Sequence, residues 1–247
     1  TELIKRIDNH SVSSGNDQGE DVLATVALGH VLECQDDTGV VTLIRRNVHQ
    51  LAVSLLLQLY FYSGKSHSAH QHSQPQRRVI GRVIMSLFAI AAGSVNEHIV
   101  SSAKPISVEN AITRLCEIEA SHRKAIADNC IHRLVSVSTA DGQAGLVVIL
   151  SQLVGYESEI DAMLARPICD IGVVCVKRMG QSVDDGASES MTTRTTLIYA
   201  LASIERIVSK WIRDDQSAGG HGVDVVSDRV ALLNDLVPQL VCLLSAL

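Results

Sequence analysis

Between Ser107 and Ser138 the apolar positions fall at threes and fours. Ile112, Leu115 and Ile118 lie three apart, on one face of a helix, with Arg114, Glu117 and Glu119 off that stripe. Ser121-His122-Arg123 interrupts it, and residues 123–126 give one further helical turn. Asp128-Asn129-Cys130 reads as a turn. Ile131, Leu134 and Val135 open a second stripe, which Thr139-Ala140-Asp141-Gly142 closes with a loop signal. The stretch predicts a helical hairpin with a short third helix between its arms.

The same period organises the rest of the chain. Residues 1–20 are polar and read as a flexible N-terminal arm. Residues 21–33 are helical by the spacing of Val22, Val26, Leu28 and Leu32, and residues 42–62 supply a short helix followed by a second one. A strongly apolar helix over 79–92 ends at Gly93, and another covers 145–154. A short helix over 157–165, a turn at Arg166-Pro167 and a helix over 168–179 come next. Residues 192–213 give the longest helix, carrying the only tryptophan, Trp211. Polar insertions fall at about 63–78, 181–190 and 214–226. The closing residues, Leu240 to Leu247, are too apolar for a solvated end and imply a further repeat or a partner over them.

Two half-motifs recur in a fixed order. Ile126, Ile131, Leu134 and Val135 return as Leu43, Val48, Leu51 and Ala52, and as Leu232, Val237, Leu240 and Val241 with Pro238 between. Ile112, Leu115 and Ile118 return as Ile84, Leu87 and Ile90, and as Ile198, Leu201 and Ile204, with a partial copy at Leu150, Leu153 and Tyr156. This order resembles an armadillo repeat: a short first helix, a tight turn, a second helix and a longer third helix. The family turn carries Gly followed by Ile-Pro-x-Leu-Val; here the residues are Cys130, then Ile131-His132-Arg133-Leu134-Val135. The resemblance implies an all-α, armadillo-like right-handed superhelix of irregular repeats over residues 21–247, with HEAT-like repeats as a close variant.

It also implies a concave face lined by third helices. In peptide-binding armadillo proteins that face carries an Asn ladder with Trp four residues earlier. The matching positions here are Ser86, Arg114, Gln152 and Ala200, and Arg82, Asn110, Val148 and Thr196. Neither ladder is present, so recognition of nuclear-import signals is not implied. Arg82, Ser86, Asn110, Arg114 and Gln152 stand as candidate partner-binding residues, against the alternative that they belong to ordinary solvated helix faces.

Composition narrows the function. A net charge of −6 and a pI near 5.9 argue against a general nucleic-acid surface. The six cysteines are scattered without a CxxC pair, so they read as buried reduced thiols and not as a zinc site. His67, His70 and His72 are weak metal candidates, lacking a nearby Cys or carboxylate. Asp184-Asp185-Gly186 lacks the alternation of a calcium loop, and Gly219-Gly220-His221-Gly222 lacks the ending of a phosphate loop. No cofactor is expected. No apolar stretch is long enough to insert in a membrane, and the cytoplasm is the default location, although a removed targeting peptide would leave no trace.

The expected function is therefore a non-catalytic protein–protein interaction scaffold, a subunit of a larger assembly. An armadillo-type co-chaperone, either a myosin chaperone or an Hsp70 nucleotide-exchange factor, is the alternative. A small α/β enzyme is the third. It would need residues 39–44, 146–150 and 171–176 to be buried strands, and neither GxSxG nor a GxGxxG after a strand occurs.

Overall fold

A computed structural model of the chain describes residues 7, 18–33, 38–62, 74–91, 107–108, 110–113, 120–137, 139–181, 187–217, 230, 234, 237–238 and 241. Every element among them is a helix: α1 (Gln18–Glu33), α2 (Thr38–Arg46), α3 (Val48–Phe61), α4 (Gln74–Ala91), α5 (Ala120–Ser136), α6 (Ala140–Leu153), α7 (Ser158–Gln181) and α8 (Ala187–Ser217). The all-α expectation holds. The three segments that a parallel sheet would need lie in α2, α6 and α7, so the α/β architecture is overturned. The chain divides into two compact units, Thr1–Ile149 and Leu150–Leu247.

In the first unit α3 is the centre. Its sequence is apolar nearly all round, and every residue from Leu51 to Tyr60 is buried. Such a helix has no solvent face and must be wrapped by neighbours. α4 and α5 pack on it, and α1 and α2 pack on α4. Asn47 alone makes the corner between α2 and α3. Its N–H donates to Ile44 O and its side-chain amide to Leu43 O, closing α2, while its own carbonyl accepts from Leu51 to open α3. α6 reaches α3 at Gly145, where a Cβ would stand 2.8 Å from Leu57 Cδ2 and 3.0 Å from Tyr60 Cδ1. Glycine allows that approach without displacing either neighbour.

The second unit is built on α7 against α8. Ala165, Ile168, Gly172 and Cys175 on α7 and Leu197, Ala200, Ile204, Ile207 and Trp211 on α8 are buried. Their spacings alternate between three and four, the seam of two helices packed side by side. Residues near the start of α7 bond to residues near the end of α8, so the pair is antiparallel.

Several predicted boundaries move, each for a local reason. Asp128-Asn129 is no turn: Ile126, Cys130 and the half-buried Leu134 keep the stripe continuous, and Asn129 Nδ2 donates to Ala125 O one turn back within α5. Thr139 does not close a helix but starts one. Its Oγ1 accepts from Gly142 N–H, an N-cap, and Asp141 sits in the first turn where the helix dipole favours it. The insertion expected at about 63–78 ends earlier, because α4 begins at Gln74 with Pro75 in its first turn. α8 takes residues 187–190 from the second insertion and 214–217 from the third. Gln18 to Glu20 belong to α1 and not to the arm. Val135 and Ile198, placed on core stripes by spacing, are 89% and 65% exposed.

Pro167 marks the largest shift. The predicted turn at Arg166-Pro167 is the interior of the 24-residue α7. Proline has no N–H for the carbonyl of Met163, a defect of about 3 kcal/mol in a helix interior. Continuous burial of Leu164, Ala165, Ile168 and Cys169 offsets it. Pro167→Ala is therefore expected to stabilise the protein by about 1–3 kcal/mol. A thermal scan of the two proteins checks this; a lower midpoint for the variant would mean that the proline ring or its bend contributes to packing.

Candidate functional site

The predicted binding residues divide by exposure. Arg82 is exposed and Ser86 half-buried one turn on along α4, with Val83, Ile84 and Leu87 buried on the opposite side. Asn110 is exposed, and its backbone N–H donates to Ser107 Oγ at 3.2 Å. Gln152 is half-buried on α6, and its Nε2 donates to Ser151 Oγ. Arg114 and the histidines 67, 70 and 72 lie outside the described residues. The remaining ladder positions, Val148, Thr196 and Ala200, are buried. Within the first unit Arg82 and Ser86 share a helix face, and among the described residues no hydrogen bond joins them to Asn110.

The interior polar groups form structural networks. On α3, Gln50, Ser54 and Gln58 repeat every fourth residue and make one polar line in an apolar helix. Arg133 of α5 reaches this line: its Nη2 donates to Ser54 Oγ at 2.7 Å and to Gln50 O at 3.1 Å, while Ser54 Oγ donates to Gln50 O. Gln58 Oε1 accepts from Thr25 Oγ1 of α1 at 2.8 Å. His49 and His122 meet at 2.8 Å between Nε2 and Nδ1, one ring donating to the other. Each had the sequence signature of a lone helical histidine, and 73 residues separate them, so spacing carried no sign of the pair.

In the second unit the corner between α6 and α7 is tied by charge. Val154 ends α6, and Gly155 follows with φ of 86°, the left-handed conformation that glycine adopts freely. Asp161 is fully buried; its Oδ1 accepts from Gly155 N–H at 2.6 Å and its Oδ2 from Lys210 Nζ at 3.1 Å. Arg206 donates to the carbonyls of Ser151 and Val154, neutralising the open end of α6. Ser158 Oγ donates to Asp214 Oδ2. An acid in the first turn of a helix looks like ordinary dipole matching in a sequence, which is why Asp161 did not stand out.

Cys130, Cys169 and Cys175 are buried and free; Cys34, Cys116 and Cys242 lie outside the described residues. Burial pushes the Cys130 thiol up to about 12, with Arg133 pulling weakly the other way, and the Cys169 and Cys175 thiols up to about 11. These thiols stay protonated at neutral pH and are poor nucleophiles. The folded state holds the Cys130 proton more tightly than the unfolded chain, whose thiol titrates near 9.0. The stabilisation is complete below pH 9 and is lost as pH rises toward 12, to a ceiling of roughly 4 kcal/mol. Denaturant midpoints measured from pH 8 to 11 should fall, and Cys130→Ala should flatten the fall. Parallel slopes for the two proteins would refute the assignment.

Among the described residues no group of three or more His, Cys, Asp and Glu side chains could hold a metal ion, and no helix is long and apolar enough to cross a membrane. No protein-family profile, curated protein or solved structure matches the chain.

Apolar side chains also face water on α8. Met191, Ile198 and Ile212 are exposed on α8 at intervals of seven and fourteen, with Ala202 also exposed between them. They lie on the side opposite Leu197, Ala200, Ile204, Ile207 and Trp211. α8 thus carries one apolar stripe covered by α7 and, opposite it, an exposed face in which Met191, Ile198, Ala202 and Ile212 lie beside Arg194 and Glu205.

Proposed function

We propose that the protein is a non-catalytic, armadillo-like helical scaffold of the cytoplasm, binding partner proteins on exposed helix faces within a larger assembly. The observation that carries this reading is the exposed face of α8. Met191, Ile198 and Ile212 on one exposed helix face, with Ala202 beside them and Glu205 at the intervening heptad position, suit docking of another helix, and their exposure is otherwise unfavourable. The order of α2, α3 and α4 supports the armadillo element: a short helix, a one-residue corner at Asn47, a second helix and a longer third one. The net charge of −6 favours proteins over nucleic acid as partners.

The same exposed face also suits the co-chaperone reading, in which it would hold apolar clients. A photo-crosslinking amino acid at position 198, with exposed Asp170 on α7 as the control position, separates the readings. A stoichiometric adduct with a defined protein at 198 supports the scaffold. Substoichiometric adducts with Hsp70, Hsp90 or myosin move the assignment to the co-chaperone. No adduct above the Asp170 control rejects both uses of the face.

A further inference from the structure

Charge is segregated along this chain. From Thr38 to Asn96 there is no Asp or Glu, while Arg45, Arg46, Lys65, Arg77, Arg78 and Arg82 all fall there, in a chain whose net charge is −6. That span contains α2, α3 and α4. Since α3 is buried, its surface is displayed by α2 and α4, which pack on each other. Arg45 and Arg46 are exposed on α2, and Arg78 and Arg82 are exposed on α4. Among the described residues none of the four is in an ion pair.

Folding explains only part of this. Arg45 and Arg46 sit in the last turn of α2, where the helix dipole favours cations. α4 shows the reverse. It has no acid in its first turn, and Arg77 and Arg78 follow immediately, at the end where the dipole disfavours them. Arg78 and Arg82 are one turn apart, so their Cβ atoms are about 6 Å from each other on one face. Two guanidinium forks at that separation match successive carboxylates of an acidic segment, each able to accept two parallel hydrogen bonds.

We propose that the α2–α4 face, with Arg78 and Arg82 at its centre, binds an acidic segment of a partner protein. The proposal rests on the protein-scaffold reading and names the chemistry of one partner. Two other anionic surfaces fit less well. Among the residues between 38 and 96 whose side chains are described, no large hydrophobic is exposed to enter a lipid interface. Among the residues of α4 whose side chains are described, the exposed ones are Pro75, Arg78 and Arg82, with no aromatic ring on which a base could stack, and the acidic remainder of the chain would repel a polyanion longer than the face.

The test uses the whole chain and a fluorescein-labelled oligoglutamate peptide, read by fluorescence anisotropy. Binding is expected to weaken severalfold between ~50 and ~200 mM salt. Arg78→Glu with Arg82→Glu should weaken it at least about tenfold. Arg45→Glu with Arg46→Glu should weaken it less, and Arg194→Glu, an exposed control on α8, should leave it unchanged. Each variant is compared at an unchanged thermal midpoint, and Arg78→Lys with Arg82→Lys retains charge and fold if reversal does not. Equal affinity of the α4 and α8 variants would overturn the proposal. So would tighter binding of a single-stranded oligonucleotide or of anionic vesicles than of the peptide. Self-association that the α4 reversal abolishes would make the acidic remainder of a second copy the occupant, and would overturn an external partner. Failure here leaves the adduct at position 198 untouched, so the two readings fall separately.

Discussion

Asp161→Ala is expected to destabilise the protein by about 3–5 kcal/mol, the usual effect of removing one partner from a buried ion pair. The carboxylate is fully buried and makes two bonds, to Gly155 N–H and to Lys210 Nζ, and the Lys210 side chain is only 14% exposed. Removing the acid leaves a nearly buried ammonium without its anion, and a backbone N–H at a left-handed glycine without its acceptor. Lys210→Met alone should also destabilise, since it leaves the fully buried Asp161 carboxylate with only the Gly155 bond. In the double variant the stranded charge is gone, so Asp161→Ala in the Lys210→Met background should have a smaller effect than in the wild type. Trp211, the only tryptophan, is buried one residue from Lys210, so its fluorescence in a denaturant titration reports on this corner directly. Additive effects would show that the two side chains do not interact in solution.

How far the fold could be read from the chain depends on what kind of signal each part carries. The α2–α3 pair and α8 were legible as helices, because apolar period is a property of the segment itself, but the buried face of α8 is shifted: of the expected stripe Ile198, Leu201 and Ile204 only Ile204 is buried, beside Leu197, Ala200, Ile207 and Trp211. The breaks were less legible. Thr139, Asp141 and Gly142 have the composition of a loop, yet the same types cap and begin helices, and only the neighbour packed against them decides. Pro167 would end an isolated helix, and α8 along its flank keeps it in one. The polar ties were not legible at all. Arg133 with Ser54, His49 with His122 and Asp161 with Lys210 are 79, 73 and 49 residues apart, and nothing local marks either partner. Of the predicted binding residues, the exposure of Arg82 and Asn110 followed from their polarity. What spacing could not supply was the charge pattern around Arg82, which becomes visible only when acids are counted as well as bases.

Gly145→Val carries the second large effect, expected to destabilise the first unit by about 3 kcal/mol. The site is set by two buried neighbours on α3: Leu57 Cδ2 would lie 2.8 Å and Tyr60 Cδ1 3.0 Å from a new Cβ. Both neighbours are essentially without solvent exposure, so neither can swing outward. Valine adds two further carbons on a stiff side chain and forces α6 away from α3, or Leu57 and Tyr60 out of their rotamers. Gly145→Ala separates the terms. Alanine gains about 1 kcal/mol of helix propensity over glycine, which offsets much of the strain from a single methyl, so its net effect should be small. Placing Gly145→Ala on a Leu57→Ala background removes the closer contact. The alanine at 145 should then be stabilising, partly filling the space that Leu57 leaves. Urea unfolding followed by far-UV circular dichroism gives all four stabilities. If Gly145→Val and Gly145→Ala prove equally mild, α6 does not lie against α3 as described, and the centre of the first unit is less tightly enclosed than the burial of residues 51–60 implies.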